Sequence, residues 1–340
     1  MTRLLIIRFS SFGDIVQGVS VPYHFTRKFP ESTVDWFVRE DFAQLLTPQK
    51  YITKVIPFSR SKSAIELIKT AWKLSGENYT HVYDAHNNVR SNIVMAVFIL
   101  RAFSSMFGHE LKGFRFLQRP KNRFKRFLLF RLRINKFEKP FIASKSFLDP
   151  LSKWGIHPNP KNLLGENKFF ISQLAQDKVA EILKNTEDFI CLVPSAAWKM
   201  KRWPVSHWQK LIHEMPHAKF VILGGPEDNF CKEIAEVAPD RVMNLCGQLS
   251  LIESCAVAQR STRLISGDTG LLHVADQMQI SSIALMGPTA FGYPSSANSK
   301  ALHTNLYCQP CSKDGRGKCY NDLYQRCLVE LTPALVSKVK

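Results

Sequence analysis

Ser266-Gly267-Asp268-Thr269-Gly270-Leu271-Leu272-His273 brings together residue types that can hold an anion. The apolar pair Leu264 and Ile265 precedes it and a helical pattern follows, so it reads as strand, tight turn and helix start. Asp268 is the expected N-cap, its carboxylate accepting first-turn N–H groups. Thr269 and Gly270 then occupy the first helical positions, with little bulk over the backbone donors. A helix N-terminus with free N–H groups and partial positive charge suits a phosphate. His273, one turn further in, could donate to the same anion. The stretch would serve equally as a well-capped helix that binds nothing.

Three more turns of this kind follow strand-like runs. Asp14 comes just after the first, Leu4–Ile7, where a carboxylate could act as a general base on a hydroxyl or merely cap the next helix. Pro194-Ser195-Ala196-Ala197-Trp198-Lys199-Met200-Lys201-Arg202-Trp203-Pro204 offers small residues, a hydroxyl and three cations. Such a loop can approach a diphosphate closely, while Lys201 or Lys199 neutralises charge on a leaving group. Leu223-Gly224-Gly225-Pro226-Glu227-Asp228 supplies a carboxylate where dinucleotide folds bind a ribose hydroxyl. Asp-Thr-Gly is also the aspartic-protease tripeptide, but that chemistry needs a pair of such carboxylates, and the chain has one Asp-Thr-Gly and no Asp-Ser-Gly. No Gly-x-Gly-x-x-Gly follows the first strand and no Gly-x-x-x-x-Gly-Lys-Ser/Thr loop occurs, which demotes a dinucleotide oxidoreductase and a P-loop NTPase.

These turns need a scaffold that presents strand ends. Strand-like runs at Leu4–Ile7, Val34–Val38, Val55–Pro57 and His81–Tyr83 alternate with helical patterns near Asp14, Ser63–Leu74 and Arg90–Ala102. After an aperiodic stretch, Trp154–Asn162, the rhythm restarts at Phe189–Val193, Phe220–Leu223, Val242–Leu245, Leu264–Ile265 and Ile283–Met286. Helices are expected near Pro204, Glu227, Leu249 and Thr269. This βαβ rhythm predicts an α/β chain of two Rossmann-like, doubly wound parallel domains facing across a cleft, with ligands at the strand ends. With 340 residues, two such cores can be buried.

The net charge of +18 points to an anionic partner. From Lys112 to Lys145 there are twelve Lys or Arg and one acid, Glu138, interleaved with phenylalanines. Phe124, Phe127, Leu128 and Leu132 fall at helical spacing among them, a basic amphipathic helix suited to an anionic membrane or phosphorylated lipid, or to nucleic acid. An ordinary solvated face remains open. The longest apolar run, Ile93 to Leu100, is too short to span a bilayer, and the N-terminal apolar core suits a strand better than a signal peptide. A cytoplasmic location with eight reduced cysteines is therefore expected. Cys308, Cys311, Cys319 and Cys327 leave two readings open, structural thiols or a zinc or iron site.

Taken together and in order, the motifs resemble glycosyltransferase family 9, the lipopolysaccharide heptosyltransferases. Arg8-Phe9-Ser10-Ser11-Phe12-Gly13-Asp14 is similar to the family's N-terminal signature, and Asp84-Ala85-His86-Asn87-Asn88-Val89-Arg90-Ser91 to its Asp-x-x-x-x-x-Arg-Ser segment. Lys201-Arg202-Trp203-Pro204, Gly224-Gly225-Pro226-Glu227, Asp268-Thr269-Gly270-Leu271-Leu272-His273 and Gly287-Pro288-Thr289 are similar to its donor-side motifs. Ala196 and Ala197 stand where members often carry hydroxyls, leaving Ser195, and Ala290-Phe291-Gly292-Tyr293-Pro294 replaces the usual Asp/Ser-Pro continuation.

The resemblance implies a GT-B fold: an acceptor-binding domain over 1–160, an ADP-sugar-binding domain over 161–322, and a C-terminal helix over 323–340 that could pack back on the N-terminal domain. It implies inverting transfer of heptose from ADP-heptose to a lipopolysaccharide inner-core acceptor, with no cofactor beyond the donor substrate. The alternatives are another nucleotide sugar or a protein acceptor, or a basic nucleic-acid-binding protein, with nucleic acid the less favoured partner. Asp14 is implied as base and Lys201 as leaving-group cation, with Ser195, Lys199, Glu227, Asp268, Thr269, Gly270 and His273 on the donor. Ser11, Asp84 and Arg90 are implied on the acceptor side. No Asp-x-Asp occurs, consistent with cations and a helix dipole in place of a divalent metal. The basic 112–145 segment would then dock the enzyme at the cytoplasmic face of the inner membrane.

Overall fold

The computed structural model describes residues 1–105, 114–159, 162–165 and 169–339. Its described residues divide into two compact units, 1–121 with 144–170, and 122–143 with 171–340.

The first unit holds β1 (Arg3–Ile7), β2 (Thr33–Arg39), β3 (Lys54–Phe58), β4 (His81–Asp84) and β5 (Arg115–Gln118), all parallel, in the order β3-β2-β1-β4-β5. Leu4, Leu5, Ile6 and Ile7 are all buried, as a parallel strand with helices over both faces requires. The register sets Ile7 beside Asp84, which brings the ends of β1 and β4 level. The helix Ala64–Ser75 starts with a capping box, Ser63 N–H donating to Glu66 Oε2 at 2.8 Å and Glu66 N–H to Ser63 Oγ at 3.3 Å.

The second unit holds β6 (Phe189–Val193), β7 (Lys219–Ile222), β8 (Val242–Asn244), β9 (Arg263–Gly267), β10 (Ser282–Leu285) and β11 (Ser299–Leu302). They are parallel in the order β11-β10-β9-β6-β7-β8, the doubly wound arrangement that reverses direction between its first strand and its fourth. Val193 pairs with Ser266, so the loop after β6 and the turn after β9 leave the sheet side by side. Ligand sites in such sheets lie at that reversal.

Several expectations change. β5 and β11, both absent from the sequence reading, extend the two sheets. The helix expected near Glu227 begins at Phe230. The expected boundary residues 160 and 161 lie outside the described residues, and so do residues 112 and 113 of the basic segment. Residues 122–143, assigned to the N-terminal domain from sequence, belong to the second unit. The cause is aromatic: the Phe141 ring lies 4.9 Å from Phe291, and the Arg126 guanidinium sits 4.8 Å over the same ring. The C-terminal segment forms two short helices, Arg326–Val329 and Pro333–Ser337, and it contributes to the core of the second unit. Trp203 Nε1 donates to the carbonyls of Leu328 and Leu331 at 3.0 and 2.9 Å, tying that segment to the loop after β6. No helix among the described residues is long and apolar enough to cross a membrane.

Candidate active site

In the first unit the chemistry gathers at the ends of β1, β4 and β5. The helix Phe12–Gly18 starts after Ser11, which puts Asp14 in its first turn and not at the cap. Asp14 Oδ2 accepts from the Ser11 hydroxyl at 2.8 Å and from its N–H at 3.4 Å. Arg8 pairs with the same carboxylate at 2.5 Å and Arg119 at 3.4 Å, yet 31% of the Asp14 side chain stays exposed. Burial alone would raise the Asp14 pKa; the charges of Arg8 and then Arg119, with the Ser11 hydrogen bonds, outweigh it and hold the carboxyl far below the usual range.

Both arginines are themselves held. Arg8 is buried and donates to the Ala85 carbonyl at 2.7 Å. The Arg119 guanidinium stacks 3.6 Å from the Phe147 ring centroid and bonds Ser146 Oγ. His86 Nδ1 accepts from the Phe9 N–H at 3.1 Å, and burial followed by the Arg8 charge pushes its pKa down to about 3, so the ring is neutral. Asp84 is fully buried, its Oδ1 accepting from the N–H groups of His86 and Asn87 and its Oδ2 from Ser91 Oγ and Gln118 Nε2. It therefore shapes the turn that carries His86. Arg90 is exposed at the start of the following helix. Ser11 and Asp14 thus come together; Asp84 supports them from beneath.

The second unit presents two linked clusters. After β9, Thr269 and not Asp268 is the N-cap of the helix Gly270–Met278, accepting from the Leu272 N–H at 3.4 Å. Asp268 instead meets Lys201 Nζ at 3.0 Å, Thr289 Oγ1 at 2.7 Å and, from the helix itself, His273 Nε2 at 3.6 Å. Burial would raise the Asp268 pKa, but Lys201, then His273 and Thr289, drive it far below the usual carboxylate range. The approach is close. A Cβ on Gly267 would lie 2.9 Å from the Lys201 carbonyl, and one on Gly292 would overlap the Asp268 carboxylate.

At the neighbouring strand ends, Asp228 accepts from Ser195 Oγ and from the Gly225 N–H at 2.8 Å, and pairs with Arg202 at 3.2 Å. Asp228 is buried, while Glu227 beside it is exposed on the turn. Lys199 is exposed too, and its carbonyl accepts from Gln325 Nε2 at 2.8 Å. Of the two candidate lysines, Lys201 is therefore the one placed at the end of β9.

Sequence reasoning missed Arg119 and Asp228 as site-forming groups. Arg119 was counted only as one charge in a basic run; its signal is its position directly after a strand, before Pro120. Asp228 stands next to the favoured Glu227 and is set apart from it by the hydrogen bond it accepts from the Gly225 N–H. Among the described residues all eight cysteines are free thiols, and no three His, Cys, Asp or Glu side chains converge as a metal site. Burial raises the Cys327 thiol to about 12.

Comparison with known proteins gives a family match. A family model, Glycosyltransferase family 9 (heptosyltransferase), matches residues 67–321. Lipooligosaccharide heptosyltransferase 2 of Campylobacter jejuni is 28% identical over 163 residues, 44% of this chain and 52% of that protein, so the chain spans about half the length of the first curated relatives it matches. The same-named protein of Haemophilus ducreyi is 24% identical over 348 residues, covering 97% of this chain and 96% of the relative. The structure of Escherichia coli ADP-heptose lps heptosyltransferase II superposes with a TM-score of 0.72 at 18% identity, over 99% of this chain and 96% of that one. The likeness shows the α/β GT-B fold class expected from sequence.

Proposed function

We propose, from the premise that the chain belongs to glycosyltransferase family 9, that it transfers heptose from ADP-heptose to a lipopolysaccharide inner-core acceptor with inversion at the anomeric carbon. The observation that carries the reading is the Lys201–Asp268–His273–Thr289 cluster at the reversal point of the second sheet. A diphosphate there meets the Lys201 ammonium and the open N–H groups at the start of the Gly270–Met278 helix. Asp268, held ionised, orients Lys201 and offers acceptor oxygens to sugar hydroxyls. The relatives' names supply the heptose and its ADP carrier.

In the first unit Asp14 receives the proton of the acceptor hydroxyl. As that oxygen bonds to the anomeric carbon, the bond to the diphosphate breaks, and its electron pair leaves with ADP toward Lys201. Two arginines hold the Asp14 pKa so low that the carboxylate is ionised at any physiological pH but binds protons weakly. Proton transfer is therefore late, when C–O bond formation has made the hydroxyl acidic. Arg119, whose contact with Asp14 is the longer of the two, is the cation available to an anionic acceptor.

The reaction proceeds without a divalent metal, the cations and the helix N-terminus stabilising the departing charge. The enzyme works at the cytoplasmic face of the inner membrane, and the helix Arg123–Leu132, with Phe124, Phe127 and Leu132 exposed, supports peripheral contact there. The test is transfer from ADP-heptose to a deacylated core acceptor, monitored by mass spectrometry, with chelator present. Product that disappears in Asp14→Ala and Lys201→Ala supports the reading; product undiminished in Lys201→Ala refutes it.

A further inference from the structure

The first unit carries an apolar face that its own core does not use. In the helix Ala64–Ser75, Leu67, Ala71 and Leu74 point into the core. Ile65, Ile68 and Trp72 form a second stripe at helical spacing, with Ile65 66% and Trp72 53% exposed. The neighbouring helix Val89–Ser105 repeats the arrangement: Val94, Met95 and Phe98 are buried, while Leu100 and Phe103 are 65% and 60% exposed. The two helices pack on each other, and Arg101 joins them. Its guanidinium lies 4.9 Å over the Trp72 ring and donates to the Trp72 carbonyl at 2.8 Å. Five large apolar side chains on two adjoining helices exceed the scattered surface hydrophobics of an ordinary monomer.

Charge identifies what covers them. Lys62, Lys69 and Lys73 flank the stripe and are exposed. The only acid in either helix is Glu66, already bonded to Ser63 at the capping box. Lysine stems lie along apolar surface and lift their ammonium groups to the level of lipid phosphates, and a tryptophan beside an arginine suits the same interface.

We propose that the outward faces of the helices Ala64–Ser75 and Val89–Ser105 form a docking surface for an anionic lipid bilayer. The surface belongs to the unit that carries Asp14, and the Arg123–Leu132 helix to the other. It stands on its own geometry, whatever sugar the protein transfers.

Trp72 is a built-in reporter. Trp36, Trp154, Trp203 and Trp208 are buried, so only Trp72 and Trp198 can report from the surface. In full-length Trp198→Phe, vesicles of equal parts phosphatidylglycerol and bromine-labelled phosphatidylcholine should quench the exposed tryptophan emission, and adding Trp72→Phe should abolish that quenching. Ile68→Ser with Leu100→Ser and Phe103→Ser should weaken partitioning by about tenfold or more, because the apolar contact drives insertion. Lys69→Glu with Lys73→Glu leaves the apolar stripe intact and should weaken partitioning to phosphatidylglycerol vesicles while leaving the fold untouched.

The proposal is overturned if the protein does not partition, or if quenching survives Trp72→Phe. It is overturned equally if partitioning is lost in Phe124→Ser with Phe127→Ser but kept in the triple variant. Self-association in sedimentation velocity that the triple variant dissolves would make a second copy the occupant, and would also refute it.

Discussion

Replacing Lys201 by alanine separates two things the ammonium does, and the structure gives each a size. Toward a donor diphosphate, Lys201 supplies a charge-assisted hydrogen bond, worth about 1.5–3 kcal/mol. That predicts ADP binding about 10- to 100-fold weaker. Within the protein, Lys201 is the principal cation beside an Asp268 side chain only 14% exposed. Removing one partner of a buried pair costs about 3–5 kcal/mol, because the remaining charge is stranded. Here Thr289 and His273 still contact Asp268, so the loss should fall nearer about 2 kcal/mol.

The second replacement distinguishes the two effects. In Lys201→Ala with Asp268→Asn no carboxylate is stranded, so most of the lost stability should return while ADP affinity stays low. The pH dependence has a definite sign. Asp268 has a folded pKa depressed below its ordinary 3.8, so its contribution is complete above that value and disappears as pH falls through the folded one. Without Lys201 the folded pKa climbs, since burial still raises it, and the acid loss begins at higher pH. Calorimetric ADP titration and denaturant unfolding on the single and double variants measure all of this. Recovery of ADP affinity together with stability in the double variant would show that Lys201 acts only through Asp268. The diphosphate assignment would then be wrong.

Three other outcomes are expected. Asp14 also has a depressed folded pKa, so between about pH 5 and 8 neither stability nor transfer rate should show a limb from it; Arg8→Ala should raise that pKa, bring in an acid limb, and cost about 2 kcal/mol, discounted for the partly exposed carboxylate. A pH–rate profile unchanged in Arg8→Ala would contradict the clamp. Gly267→Ala should displace the Lys201 backbone, cost about 1–3 kcal/mol and weaken ADP binding. Gly225→Ala is its control, since the added Cβ would meet Asp228 at an ordinary 3.5 Å, and equal losses in the two would refute the packing argument. Asp84→Ala leaves two backbone and two side-chain donors without their acceptor and should lose about 3 kcal/mol or more in denaturant unfolding, with transfer failing through the misplaced turn.

Sequence pattern located most sharply the central strands whose two faces are both buried. Phe189–Val193 was placed to the residue because all five of its side chains are apolar and enclosed. The edge strands Arg115–Gln118 and Ser299–Leu302 escaped notice for the opposite reason: half-exposed edges need no apolar run, and neither carries one. At the site, the strand-end turns were legible because phosphate-sized backbone openings need Gly, Ser, Thr and Asp at fixed local spacing. The partner of each carboxylate was not. Asp268 and Thr269 are both competent caps, and local propensity ranks Asp at least as high. Thr269 takes the cap because Lys201, from a loop after a different strand, draws the Asp268 carboxylate away. The same holds for Asp14, which was weighed as cap or base. It is a first-turn carboxylate that closes a capping box with Ser11 and is gripped by arginines that directly follow β1 and β5. Charge pairing across a parallel sheet is fixed by strand order and register, which put Arg8 and Arg119 at one sheet end, and no window of local sequence contains that order.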